Sequence, residues 1–204
     1  MRLGVFGGSF DPVHLGHLEL ATCCRQQAAL ETVWFVPAAR QPHKPQGPEA
    51  SDADRLAMLK LALADRPEFG VCTLELDRGG VSYTVDTLEA IHAERPHAEL
   101  FLLMGADSLK DLPHWREPAR VCQLATPLVV HRAGAAAPDF QRLRPLVGEQ
   151  RLTAIRNCQV EMPAMPISSS RIRSLIFAEG DWKPLVPTMV ADFIRQHRLY
   201  VGDR

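Results

Sequence analysis

Arg2-Leu3-Gly4-Val5-Phe6-Gly7-Gly8-Ser9-Phe10-Asp11-Pro12-Val13-His14-Leu15-Gly16-His17 passes from an apolar strand, through a pair of glycines, into a helix. Arg2–Phe6 is short and apolar enough for a buried strand, and Gly7-Gly8 is expected to close it. Glycines there let a backbone approach a phosphate without Cβ clashes. The helix is expected to begin near His14 and to cover Leu15–Gln27. Its first N–H groups lack partners within the helix, and its dipole favours an anion. His14 and His17 are three apart and share a helical face. Gly16 between them costs about 1 kcal/mol of helix stability. That cost makes sense where a ligand packs against the backbone. Other readings remain open on these residues alone. The histidines could be surface residues after a tight turn, or a metal pair with Asp11 as third ligand.

Outward from this segment, strands and helices alternate. Thr32–Val36 is a β-rich run closed by Pro37. A loop with Pro37, Pro42, Pro45 and Pro48 follows, carrying the basic cluster Arg40, His43 and Lys44. Ser51 can cap a helix over Asp52–Ala64, where Leu56, Leu59 and Leu63 recur at helical spacing. Val71–Leu76 reads as a strand, and Thr84 as the cap of a helix ending near Glu94, before Pro96. Glu99–Met104, closed by Gly105, and Pro127–His131 are unbroken apolar runs. Such runs suit a parallel sheet covered on both faces. Helices are expected near Ser169–Ala178 and Thr188–His197, while Gly134–Arg156 commits to nothing. The alternation predicts an α/β fold, a doubly wound parallel sheet with flanking helices. One domain over 1–204 is expected, with a C-terminal helical part at about 168–204. Ligands in such folds bind beyond the carboxyl ends of the strands. Those ends are the loops Gly7–His17, Pro37–Pro48 and Gly105–Trp115, with the stretch around Ser168.

The formal net charge is -1, so no global field draws the chain to nucleic acid or to a membrane surface. Five cysteines, at 23, 24, 72, 122 and 158, form no Cys-x-x-Cys and leave an odd count. A reducing cytoplasm is the expected compartment. Cys23 and Cys24 are read as packing residues. No basic-then-apolar leader opens the sequence, and no apolar run approaches the ~18 residues of a membrane span.

The first segment resembles the HxGH signature of the nucleotidyltransferase superfamily, through Gly7-Gly8-Ser9-Phe10-Asp11-Pro12 and His14-Leu15-Gly16-His17. Ile167-Ser168-Ser169-Ser170-Arg171-Ile172-Arg173 resembles that superfamily's ISSTxIR element. Three further segments resemble bacterial nicotinate mononucleotide adenylyltransferases. They are Ser82-Tyr83-Thr84-Val85-Asp86-Thr87-Leu88, Gly105-Ala106-Asp107-Ser108-Leu109 followed by Leu112 and Trp115, and Pro42-His43-Lys44. The likeness runs on to Ile194–Tyr200 and implies a Rossmann-like fold.

It also implies a reaction: ATP and nicotinate mononucleotide give nicotinate adenine dinucleotide and pyrophosphate. His14, His17 and Arg171 are the implied catalytic residues. Gly7, Gly8, Ser9, Phe10, His14, His17, Gly105, Asp107, Ser169 and Arg171 would bind ATP, with Asp107 accepting from ribose hydroxyls. His43, Lys44, Tyr83, Thr84 and Trp115 would bind the mononucleotide. Mg²⁺ would arrive with the triphosphate, without a dedicated protein cage. Neither a nucleic-acid polymer nor a membrane is an expected partner. Three rivals share part of this pattern. A phosphopantetheine adenylyltransferase shares both phosphate motifs but should lack the Ser82–Leu88 element. A class I aminoacyl-tRNA synthetase needs a tRNA-binding appendage. A non-catalytic nucleotide sensor has no need of both His17 and Arg171.

Overall fold

The computed structural model describes residues 1–42 and 46–202. Among these residues six strands form one sheet: β1 (Arg2–Gly8), β2 (Thr32–Pro37), β3 (Phe69–Val71), β4 (Glu99–Gly105), β5 (Ala125–Arg132) and β6 (Val160–Met162). Their order is β3-β2-β1-β4-β5-β6, and every pairing is parallel. The helices are α1 (Leu15–Gln27), α2 (Asp52–Leu63), α3 (Leu74–Arg78), α4 (Thr84–Glu94), α5 (Ala106–Asp111), α6 (Pro118–Leu124), α7 (Glu149–Asn157), α8 (Ser169–Phe177) and α9 (Thr188–Gln196). This is the expected doubly wound, Rossmann-like α/β architecture.

The apolar runs bury both faces of the sheet through the two-residue period of a strand. Phe6, Val33, Phe35, Phe101, Leu103, Leu128 and Val130 face one core, shared with α1, α2, α8 and α9. Leu3, Val5, Val36, Leu100, Leu102, Met104 and Val129 face the other, shared with α4, α6 and α7. Cys23 and Cys24 are buried, the latter fully, as their packing role requires.

Several boundaries differ from the sequence reading. Gly7 and Gly8 lie in β1 and pair with Val36 and Pro37, so the turn begins at Ser9. Leu74–Leu76 is helical, and β3 is correspondingly short. There the Thr73 hydroxyl donates to Asp77 at 2.7 Å, and the buried Glu75 accepts from the Thr87 hydroxyl at 2.6 Å. These bonds outweigh the alternation of Leu74 and Leu76. Tyr83, not Thr84, is the extended residue preceding α4. Ser51 does cap α2, accepting from the Asp54 N–H at 3.1 Å, and Ser168 caps α8, accepting from the Arg171 N–H at 3.2 Å.

Strand order reverses at β1: the chain runs outward to β2 and β3, then returns to β4 on the other side. That reversal opens a crevice at the carboxyl ends of β1 and β4. No helix among the described residues is long and apolar enough to cross a membrane.

Candidate active site

Two cavities open at this crevice and share Gly8 and Gln41 in their linings. The larger, about 950 Å³, is lined by Ser9, His14, His17, Arg132, Ser168–Ser170 and Arg173, among others. The smaller, about 590 Å³, is lined by Gly7, Tyr83, Thr84 and Trp115, with Glu75, Asp111 and Arg116.

In the first cavity the two histidines stack, with ring centroids 3.7 Å apart. His17 Nδ1 accepts the backbone N–H of His14 at 3.3 Å, which leaves Nε2 as the protonated nitrogen of a neutral ring. Its edge is held against Phe10 at 5.0 Å and Phe6 at 5.9 Å. Gly16 makes this stack possible: a Cβ there would meet the His14 imidazole at 3.1 Å. The neighbour that Gly16 accommodates is therefore a side chain of the chain itself. Gly8 serves likewise, because a Cβ there would press on the Phe10 ring at 3.0 Å.

His14 is 6% exposed, and its Nδ1 is buried with no hydrogen-bond partner among the described residues. Burial, and then the nearby Arg132, lower its pKa to about 4 from 6.5. At neutral pH it presents an uncharged ring. Between pH 6.5 and 4 the unfolded chain takes up a proton at this position that the folded protein refuses. Stability should therefore be full above pH 6.5 and fall by at most about 3 kcal/mol as pH drops to 4. Denaturation midpoints measured across that range should slope down with acidification, and His14→Asn should flatten the slope. An equal slope in both proteins would remove His14 as its source.

Asp11 is the structural hub of the turn. Its carboxylate accepts from the N–H groups of Glu49 at 2.7 Å and Ala50 at 3.1 Å, and from the Tyr200 hydroxyl at 2.7 Å. Arg173 lies 3.7 Å from it, and donates to the Asp11 carbonyl at 2.8 Å while also pairing with Glu49. So occupied, Asp11 braces the turn. Among the described residues no group of three or more His, Cys, Asp or Glu could hold a metal ion. Beneath the turn, the fully buried Arg55 donates to the Ser9 carbonyl and to Asp52, both at 2.6 Å. The Ser169 hydroxyl donates to the Pro12 carbonyl at 2.9 Å and fastens the start of α8 to the same turn.

The two cavities gather most of the expected residues: Gly7, Gly8, Ser9, His14, His17 and Ser169, with Tyr83, Thr84 and Trp115. Phe10 is 1% exposed and packs in the core, so its ring is a support. Arg171 is exposed, donates to the Pro166 carbonyl at 3.1 Å and lines neither cavity. Arg173 stands in the cavity where Arg171 was expected. Helical spacing explains this: Ser169 and Arg173 are four apart and share a face of α8, which Arg171 does not. Gly105 and Asp107 also line neither cavity; Asp107 is exposed and pairs with Lys110 at 3.1 Å. His43 and Lys44 lie outside the described residues. Arg132 and Arg116 had no signal in the sequence beyond their residue types, and Tyr200 had only its place at the end of the family-like segment Ile194–Tyr200.

A parallel sheet with a helix N-terminus, paired histidines and an arginine at the strand-order reversal defines a class. The sequence profile of the Cytidylyltransferase-like family matches residues 5–175, and the chain belongs to that family of nucleotidyltransferases. Within it, the chain is a member of the nicotinate-nucleotide adenylyltransferases. A curated relative from Rhodopirellula baltica, named "Probable nicotinate-nucleotide adenylyltransferase", is 39% identical over 97% of this chain and 92% of the relative. One from Herpetosiphon aurantiacus bears the same name and is 40% identical over 98% of this chain and 99% of its own length. The fold is shared with the Plasmodium falciparum nicotinic acid mononucleotide adenylyltransferase solved with NaAD. That match has a TM-score of 0.73 at 17% identity and covers 98% of this chain and 97% of the other.

Proposed function

We propose that this protein transfers AMP from ATP to nicotinate mononucleotide, releasing pyrophosphate and forming nicotinate adenine dinucleotide. The observation that carries this reading is the pair of cavities meeting at Gly8. One is furnished for phosphates, and the other for a flat ring with an anionic substituent.

The mononucleotide's phosphate oxygen attacks the α-phosphorus of ATP in line; a new P–O bond forms as the α–β bridge breaks and pyrophosphate leaves. No nucleophilic side chain is required, so the protein's contribution is positioning and charge stabilisation. The N-terminus of α1 and the Nε2–H of His17 donate to the reacting phosphoryl group. Arg173 and the Ser168–Ser170 turn hold the departing pyrophosphate. ATP enters with its own divalent cation. Asp107 pairs with Lys110 through one oxygen and keeps the other free to accept from the ATP ribose hydroxyls. Tyr83 and Thr84 offer the exposed N–H groups at the start of α4 to the nicotinate carboxylate, and Trp115 offers its ring face. Five free thiols suit a reducing compartment, the cytoplasm.

A pyrophosphate-release assay with a panel of acceptors tests this reading. Nicotinate mononucleotide should exceed nicotinamide mononucleotide in kcat/KM by at least about tenfold, because an amide NH₂ would face donors. Phosphopantetheine should give no release. Equal use of the two mononucleotides would remove the acid-specific reading, and release with phosphopantetheine alone would move the protein to another branch of the superfamily.

A further inference from the structure

The ring cavity poses an electrostatic problem. Two acids, Glu75 and Asp111, line it, and a third, Asp86, sits in the first turn of α4. A substrate carboxylate docked at Tyr83 and Thr84 would meet this negative field. Glu75 cannot turn away, being 6% exposed and fixed by Thr87, but burial raises its pKa, so the field comes chiefly from Asp86 and Asp111. Among the described lining residues, Arg116 is the one arginine or lysine.

Its placement answers the problem. The Arg116 guanidinium lies 4.8 Å from the centre of the Tyr83 ring, within cation–π range. One of its nitrogens is 3.4 Å from Asp86, and another is 3.8 Å from Glu117. Both distances exceed the 2.7–2.9 Å or so of a tight charge-assisted bond. Five N–H donors on a planar fork leave this guanidinium unsaturated by two loose pairs. Its aliphatic stem follows directly from Trp115, so the flat ring surface and the cation come from adjacent residues.

We infer that Arg116 is the residue that makes the ring cavity select an acid over an amide, by offsetting Asp86 and supplying positive charge beside Tyr83. The inference rests on the reading of this cavity as the nicotinate site. Arg116 adds a full charge to what the α4 N–H groups supply, and it is specific to the carboxylate because an amide has no charge to answer it. Pairing with Asp86 keeps that acid from repelling the substrate.

Steady-state kinetics of wild type, Arg116→Gln and Arg116→Lys with both mononucleotides, at saturating ATP, tests it. Arg116→Gln should lower the acid-to-amide ratio of kcat/KM by about tenfold. Arg116→Lys keeps the charge and should retain at least about a third of the wild-type ratio. The KM for ATP, bound in the other cavity, serves as the check that each variant is folded. If Arg116 only packs on Tyr83, Arg116→Gln will weaken both acceptors alike and leave the ratio unchanged, which overturns the inference. A lysine variant that falls as far as glutamine assigns the effect to shape and overturns it too. Equal use of both mononucleotides by the wild-type protein overturns the reading of the cavity itself. A wild-type preference that survives in Arg116→Gln overturns the role of Arg116 alone.

Discussion

His17→Ala should lower kcat by ~100-fold while changing the KM for ATP far less. The ring that would be lost is held on its protein side: stacked on His14, edged by Phe6 and Phe10, and tied through Nδ1 to the His14 backbone. Such a ring needs no rearrangement when charge develops on the phosphoryl oxygens. A donor fixed in this way acts mainly in the transition state, worth roughly 3 kcal/mol on the kcat scale. ATP would still be gripped by the rest of the cavity, so its binding should weaken less. Pre-steady-state quench kinetics separates chemistry from product release. A near-wild-type chemical step in the alanine variant would transfer the role to another donor.

Arg173→Lys should reduce kcat/KM for ATP by ~30-fold, whereas Arg171→Lys should stay within about twofold of wild type. The Arg173 fork reaches the Asp11 carbonyl, the Asp11 carboxylate and Glu49 at once. A lysine ammonium cannot span that set and still offer two parallel donors to a phosphate. Arg171 makes one bond to a carbonyl on an exposed turn, and any donor or water can replace it. Kinetics with ATP varied, beside a melting curve for each variant, distinguishes lost phosphate contact from lost bracing. A silent Arg173→Lys would take this arginine out of the phosphate site.

Much of the fold was legible because long apolar runs leave few choices. Glu99–Met104 and Pro127–His131 read as strands buried on both faces, and so they are. The helix Leu15–Gln27 was legible to the residue. Short elements were not: β6 spans three residues, and α3 hides inside an alternating pattern, so local side-chain bonds decide. The site divided in the same way. Gly7, Gly8, His14 and His17 fall in one short segment of sequence and line the two adjoining cavities. Arg171 and Arg173 are two apart, and only the pitch of α8 separates the exposed one from the one in the cavity. Arg132 arrives from the far end of β5 and Tyr200 from beyond α9, and tertiary folding alone brings them to the turn. Phe10 sits amid the motif yet serves the core, since a large aromatic ring gains more from burial than a phosphate gains from an apolar neighbour.

The bond from Tyr200 to Asp11 joins residues 189 positions apart. The turn at Asp11 leaves the ribosome well ahead of Tyr200, yet nothing synthesised before Tyr200 can complete the donor set around this aspartate. Nascent chains can assemble strands and helices in order of appearance, but the turn at Asp11 gains Tyr200 only after its other described partners, Glu49, Ala50 and Arg173. Removing the Tyr200 hydroxyl would therefore loosen the turn at Asp11, 189 positions earlier in the sequence.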